Sequence, residues 1–394
     1  GFAPGARVEF TDPGTLPAGF GTADIFADDG GAIYLWLPNG TYNFTANGRE
    51  CTVTIQDGIG PTGVTVNGVE VALGPPNDTA GWTYDAASGI LALTNAGPFT
   101  LSGANAVGRV QVVVTNDVAS TVTLSNLFLR AMGDDQCAFA LETNAVVSLY
   151  LAGINTLASG SSRAGLEVAA GRTLSITNVP GDEAGALTAS GGQFGAGIGG
   201  GDYGNGGTVI ISGGIVTANG SEFFGAGIGG GGSGAGGTVN ITGGNVTANG
   251  GVMGAGIGTG GYSASDGGTV NISGGAVTAN GGDWSAGIGG GDGDAGGTTT
   301  ISGGEVTATG GKYGAGIGGG NNGENPDGIA GSGGTVNISG GRVTATGGKC
   351  AAGIGGGTGQ GLDGSAGAAL TVSGGTLFAT GGAGGAPGIG PGLG

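Results

Sequence analysis

One phrase recurs along the second half of the chain and limits what it can fold into. Gly195-Ala-Gly-Ile-Gly-Gly-Gly201, Gly206-Gly-Thr-Val-Ile-Ile-Ser212 and Val216-Thr-Ala-Asn-Gly220 return in the same order, with a marker isoleucine at Ile198, Ile228, Ile257, Ile288, Ile317 and Ile354. The period of about 30 residues is that of a solenoid, whose repeats bury their apolar faces only by stacking on one another. Alternate side chains of a strand point to opposite faces. Val209 and Ile211 therefore share a side, as do Val239 and Ile241, Val270 and Ile272, and Val336 and Ile338. In the next segment Val216 and Ala218 take that role, followed by Val246 and Ala248, Val277 and Ala279, Val306 and Ala308, and Val343 and Ala345. Ala196 and Ile198 do so in the first. Three short strands separated by Gly-Gly corners make one coil, and coils stacked ~4.8 Å apart make an all-β parallel β-helix. The six-residue beat of left-handed hexapeptide helices is absent, so a right-handed, three-sheet solenoid is expected.

The outward positions then carry whatever the surface does. On the third sheet they form two columns, Thr217, Thr247, Thr278, Thr307 and Thr344 beside Asn219, Asn249, Asn280, Thr309 and Thr346. These ten are the candidate ligand-binding residues. On the first sheet the outward places are glycines such as Gly195 and Gly197, which predicts bare backbone open to close approach, because no Cβ stands in the way. Four residues before each marker isoleucine stand Phe194, Phe224, Met253, Trp284, Tyr313 and Cys350. Parity puts them with Ala196 and Ile198, which favours an internal or corner stack over a platform for sugar rings. Register makes two further expectations: Glu305 beside Arg342 and Asp283 beside Lys312, each pair one coil apart.

Charge and composition narrow the function. A net charge of −18 with nine Lys and Arg speaks against nucleic acid or an anionic membrane as partner, since both require clustered cations. No apolar run reaches the ~20 residues of a membrane span. Cys51, Cys137 and Cys350 are far apart and read as small apolar residues. The chain has no histidine, which removes Ser-His and Cys-His nucleophilic chemistry, and it is expected not to be an enzyme. Its start at Gly1 fits a mature exported product or an excised fragment.

Acids do fall among the glycine loops after the marker: Asp202, Asp266, Asp292, Asp294, Glu324, Asp327 and Asp363. Gly289-Gly-Gly-Asp-Gly-Asp294 partly echoes calcium-binding β-roll turns, so Asp292 and Asp294 are candidate metal ligands beside the plainer reading as solvated turn residues. Glu142 and Glu167 form a second candidate, expected as vertical neighbours whose repulsion a cation, a raised pKa or Arg163 must relieve. Calcium is the only cofactor suggested.

Residues 1–75 lack the repeat. Strand-like runs at 7–10, 22–27, 32–37, 41–46, 52–55 and 64–71, separated by turns such as Asn47-Gly48, predict a small antiparallel β-sandwich. The parallel β-helix is expected over 76–394, with irregular capping coils at 76–190 and regular glycine-rich coils at 191–394.

The run from Asp29 to Ala46, with Pro38-Asn-Gly-Thr-Tyr42 at its centre, resembles the transthyretin-like, carboxypeptidase-regulatory-like or Ig-like modules of bacterial surface proteins. The phrases GAGIGGG, GGTVNISGG and VTATGG resemble the glycine-rich, carbohydrate-binding-domain-type repeats of exported, pectate-lyase-like bacterial proteins, over roughly 140–390. That resemblance implies a right-handed helix, a place outside the cell or on its surface, and binding of calcium and polysaccharide. Three functions follow as expectations. The first is a structural or adhesive solenoid that self-associates through its ends; the second is a polysaccharide-binding module; the third, from the flat Thr and Asn columns, is ice binding.

Overall fold

The computed structural model describes residues 8–10, 40–46, 49–55 and 62–393, apart from 76, 78, 106, 107, 109, 132, 183, 264, 322–329 and 360–364. The chain divides into two compact units, Gly1–Thr62 and Gly63–Gly394. In the first, Val8–Phe10, Gly40–Ala46 and Arg49–Ile55 form an antiparallel three-stranded sheet. Its two longer strands pair from Gly40 with Ile55 to Ala46 with Arg49. The strands expected at 22–27 and 32–37 lie outside the described residues.

The boundary expected at 75 moves to 62. Val64–Val66 pairs antiparallel with Phe99–Asn105, so the hairpin expected to close the first module belongs to the second. The reason is burial: Val64 and Val66 are fully enclosed with Leu101 in the solenoid's own core.

From Val146 onward the second unit is a parallel β-solenoid of about eight turns with three strands each. Marker strands such as Ile198–Gly199 and Ile228–Gly229 stack in one 12-stranded sheet. Strands such as Thr208–Ile211 stack in the second, and strands such as Ile215–Asn219 in the third. The second and third sheets grow from one long strand, Ala119–Arg130. Its first half pairs with Val146–Ala152 and its second with Ile154–Ala158, across a register shift between Ser125 and Leu127. Asn155, wholly buried at that corner, accepts the Leu127 N–H at 2.9 Å and donates to the Ala186 carbonyl at 3.0 Å.

The parity reading holds coil by coil. Val209, Ile211, Val216, Ala218, Ala196 and Ile198 are buried, and so are their successors as far as Val336, Ile338, Val343, Ala345, Ala352 and Ile354. Thr299 takes the place of Val270 and Val336 in its column and is just as buried, with its hydroxyl unpartnered.

Candidate functional site

The ten Thr and Asn candidates stand where register places them, on one sheet face in two columns. Their amides bond to one another. Asn249 Nδ2 donates to Asn219 Oδ1 at 2.9 Å, and Asn280 Nδ2 to Asn249 Oδ1 at 2.8 Å. On the neighbouring sheet Asn271 Nδ2 donates to Asn240 Oδ1 at 2.8 Å. Asn249 thus spends a donor and an acceptor along the axis, so the ladder ties coil to coil and leaves fewer groups for a ligand.

The bare first sheet is not open. Gly195, Gly197 and their successors are buried, and what approaches them is the chain itself. A Cβ on Gly195 would lie 2.0 Å from the Arg163 carbonyl oxygen, and one on Gly197 2.6 Å from the Asn219 nitrogen. The loops after each marker fold back over the strand: Ala196 N–H donates to the Gly200 carbonyl at 2.9 Å. The glycine after the marker has φ of 142° at Gly199 and 139° at Gly229, a region open in practice only to glycine.

The column before the markers is a corner stack on the outside of the coil. Its members are half-buried and absent from the apolar core, so the internal alternative falls away. Phe194 and Phe224 stack at 5.4 Å between centroids and 9° between planes, and Trp284 and Tyr313 at 4.8 Å and 23°. Stacked along the axis, the rings cover each other's faces, the surfaces a sugar would need.

Two tyrosines on the adjoining loops do face solvent. Tyr203 is 79% exposed and Tyr262 58%, with Tyr262 5.7 Å from the Phe224 ring. Both have positive φ, 54° and 59°. Tyr203 is the third residue of a turn closed by the Gly204 N–H on the Gly201 carbonyl at 2.8 Å. The equivalent turns carry Ser233 and Gly293 there, also at positive φ. A bulky side chain in that conformation costs about 1–2 kcal/mol, which glycine avoids. Sequence reasoning passed over both tyrosines. Their signal was a ring in a turn position otherwise held by Gly or Ser. An open groove of about 310 Å³, lined by Arg130, Ser159, Ser161, Ser190 and Gln193 among others, begins beside the first ring of the stack, Phe194.

The acidic candidates separate. Glu167 stands over Ala140, not Glu142, because the strand register is two residues from the alignment that paired them. Glu142 accepts the Asn116 N–H at 3.2 Å. Glu167 is buried with Arg163 Nε 2.9 Å from its Oε2; burial nevertheless holds its carboxyl above the ordinary range, outweighing that cation. Asp292 and Asp294 are buried rather than solvated. Asp294 Oδ2 accepts from Thr259 Oγ1 at 2.8 Å and Ser263 Oγ at 2.5 Å, yet burial still raises its pKa. Among the described residues no group of three or more Cys, Asp or Glu is placed to hold a metal ion. Glu324, Asp327 and Asp363 lie outside the described residues. Burial pushes the Cys137 thiol up to about 12, which makes it unreactive.

The register test separates likewise. Glu305 pairs with Arg342, Oε1 to Nε 3.7 Å. Lys312 instead lies over the Tyr313 ring, Nζ 4.9 Å from its centroid, and no ion pair with Asp283 is found among the described residues.

Six segments, 209–232, 239–261, 267–292, 300–321, 336–358 and 370–393, match a protein-family model described as Beta helix repeat. With the stacked coils, this defines a β-helix repeat protein. No curated protein and no solved structure is detectably similar to the chain. Among the described residues no helix is long and apolar enough to cross a membrane.

Proposed function

We propose that the protein is a non-catalytic structural or adhesive β-solenoid, wound right-handed and carried outside a bacterial cell or on its surface, with a small N-terminal sandwich module. The observation that carries this reading is the amide ladder of Asn219, Asn249 and Asn280: polar groups on the broad face serve the stacking of coils. Association through the solenoid ends belongs to the same reading. Light scattering with electron microscopy tests it. Concentration-dependent rods or filaments are expected. A strict monomer that releases reducing or unsaturated ends from a polysaccharide overturns it.

A second reading is polysaccharide binding, with calcium as an accessory ion. It is favoured by Tyr203 and Tyr262, which keep exposed rings at a cost in backbone strain. A glycan array read with and without chelator tests it. Retention lost in the Tyr203→Ala/Tyr262→Ala variant supports the reading, and no retention under either condition ends it.

A further inference from the structure

The corner turns that hold the ring stack form a ridge whose charges are sorted by position. The outermost residue of each turn is Phe223, Val252, Asp283, Lys312 and Lys349 in successive coils. Backbone bonds tie these turns together. Met253 N–H donates to the Phe223 carbonyl at 2.7 Å, Trp284 to Val252 at 3.2 Å, Tyr313 to Asp283 at 2.8 Å and Lys349 to Lys312 at 2.6 Å. The side chains therefore follow one line, about 4.8 Å apart.

Along that line the first coils are acidic and apolar. Residues 173–311 contain no Lys or Arg. Glu222, Phe223 and Val252 are exposed there, and the Asp202 carboxylate comes close to the ridge beside the Phe224 turn. The next coils carry Lys312 and Lys349, the chain's only lysines, exposed on adjacent rungs. Like charges at that spacing repel. Among the described residues the Tyr313 ring lies beneath Lys312, with Nζ 4.9 Å from its centroid.

We propose that this ridge is the contact surface between two copies of the chain, lying side by side with their axes antiparallel. A two-fold axis between the rungs of Val252 and Asp283 sets Glu222 of each copy beside Lys312 of the other, and Asp202 beside Lys349. Phe223, Val252 and Tyr262 are then covered between them. The contact is isologous and closes at two copies. A parallel arrangement would set lysine on lysine. A polyanion would be held at one end of the ridge and repelled along the rest. The proposal does not depend on end-to-end stacking, which uses other surfaces.

Charge exchange tests it on the full chain. One variant is K312E/K349E and the other D202K/E222K; unchanged thermal unfolding confirms that both fold. Sedimentation equilibrium at low salt is expected to show a wild-type dimer that weakens as salt rises. Each variant alone should associate at least about tenfold more weakly, and an equimolar mixture should recover to within a fewfold, because opposite ends then meet opposite charges again. A wild-type chain that stays monomeric at low salt, variants that associate as the wild type does, or a mixture no better than its parts would each overturn the proposal. Growth beyond a dimer that is insensitive to both variants would belong to the ends and leave the ridge without a role.

Discussion

The coils before about residue 190 and those after it build the same solenoid by different means. The largest fully buried side chains, among them Phe99, Phe139, Leu124, Leu149 and Leu157, all come from the earlier stretch. Reading up single columns shows the change. Phe139 is followed by Leu166, Ile198 and Ile228, and Leu157 by Ala189 and Ala218. Ala140 is followed by Glu167, then Gly199 and Gly229. The early coils gain stability from side-chain volume, the later ones from close backbone approach across glycines. Glu167, with Arg163 against it, sits at the seam, in the last coil before the column turns to glycine.

The largest expected effect sharpens that comparison at its bulky end. Phe139→Ala should cost about 3–5 kcal/mol by emptying the core, and hydrogen exchange should rise in the early coils while the late ones stay protected, since coils contact only their neighbours. Equal loss of protection throughout would mean that the two stretches are one cooperative unit.

Next comes the glycine end. Gly229→Ala places a Cβ 2.0 Å from the Gly258 carbonyl oxygen at φ 139°, and should cost roughly 1–3 kcal/mol for the backbone alone. Gly68→Ala has positive φ but nothing within 4 Å, and should cost distinctly less. Similar denaturant midpoints for the two would remove close approach as the reason for the glycines.

A smaller gain should come from Thr299→Val. It replaces a buried, unpartnered hydroxyl with the valine of the neighbouring coils and should stabilise by about 1 kcal/mol, read as a higher melting temperature. No gain would mean that the hydroxyl has a partner, such as a buried water.

The smallest effect concerns pH. Burial raises the pKa of Asp294 in the folded chain, so the folded state binds that proton more readily than the unfolded one. Its contribution is full below the unfolded value and is lost as pH rises through the folded value. Asp294→Asn should therefore flatten part of the fall in melting temperature as pH rises above the ordinary carboxylate range. An identical fall in the variant would show that Asp294 does not contribute to it.

Much of this architecture is legible in the sequence. The pairing of Val209 with Ile211, the two Thr and Asn columns and the Glu305–Arg342 contact all follow from a side-chain period of two repeated at a fixed interval. The places that were misread lie where the interval is not fixed. Spacing alone puts Glu142 beside Glu167 across irregular coils, where the register lies two residues away, at Ala140. Val64–Val66 reads as one more hairpin strand, and only the core it enters assigns it to the solenoid.

What the sequence determined by itself is the inward set of each strand and the stacking of coils, because alternation and period are local properties that every coil repeats. Whether Gly195 faces solvent or backbone, whether the Phe194 column lies inside or on a corner, and whether Lys312 meets Asp283 or Tyr313 were decided only by the folded chain. These depend on where each glycine loop turns back, and a loop without side chains carries no pattern that announces its path.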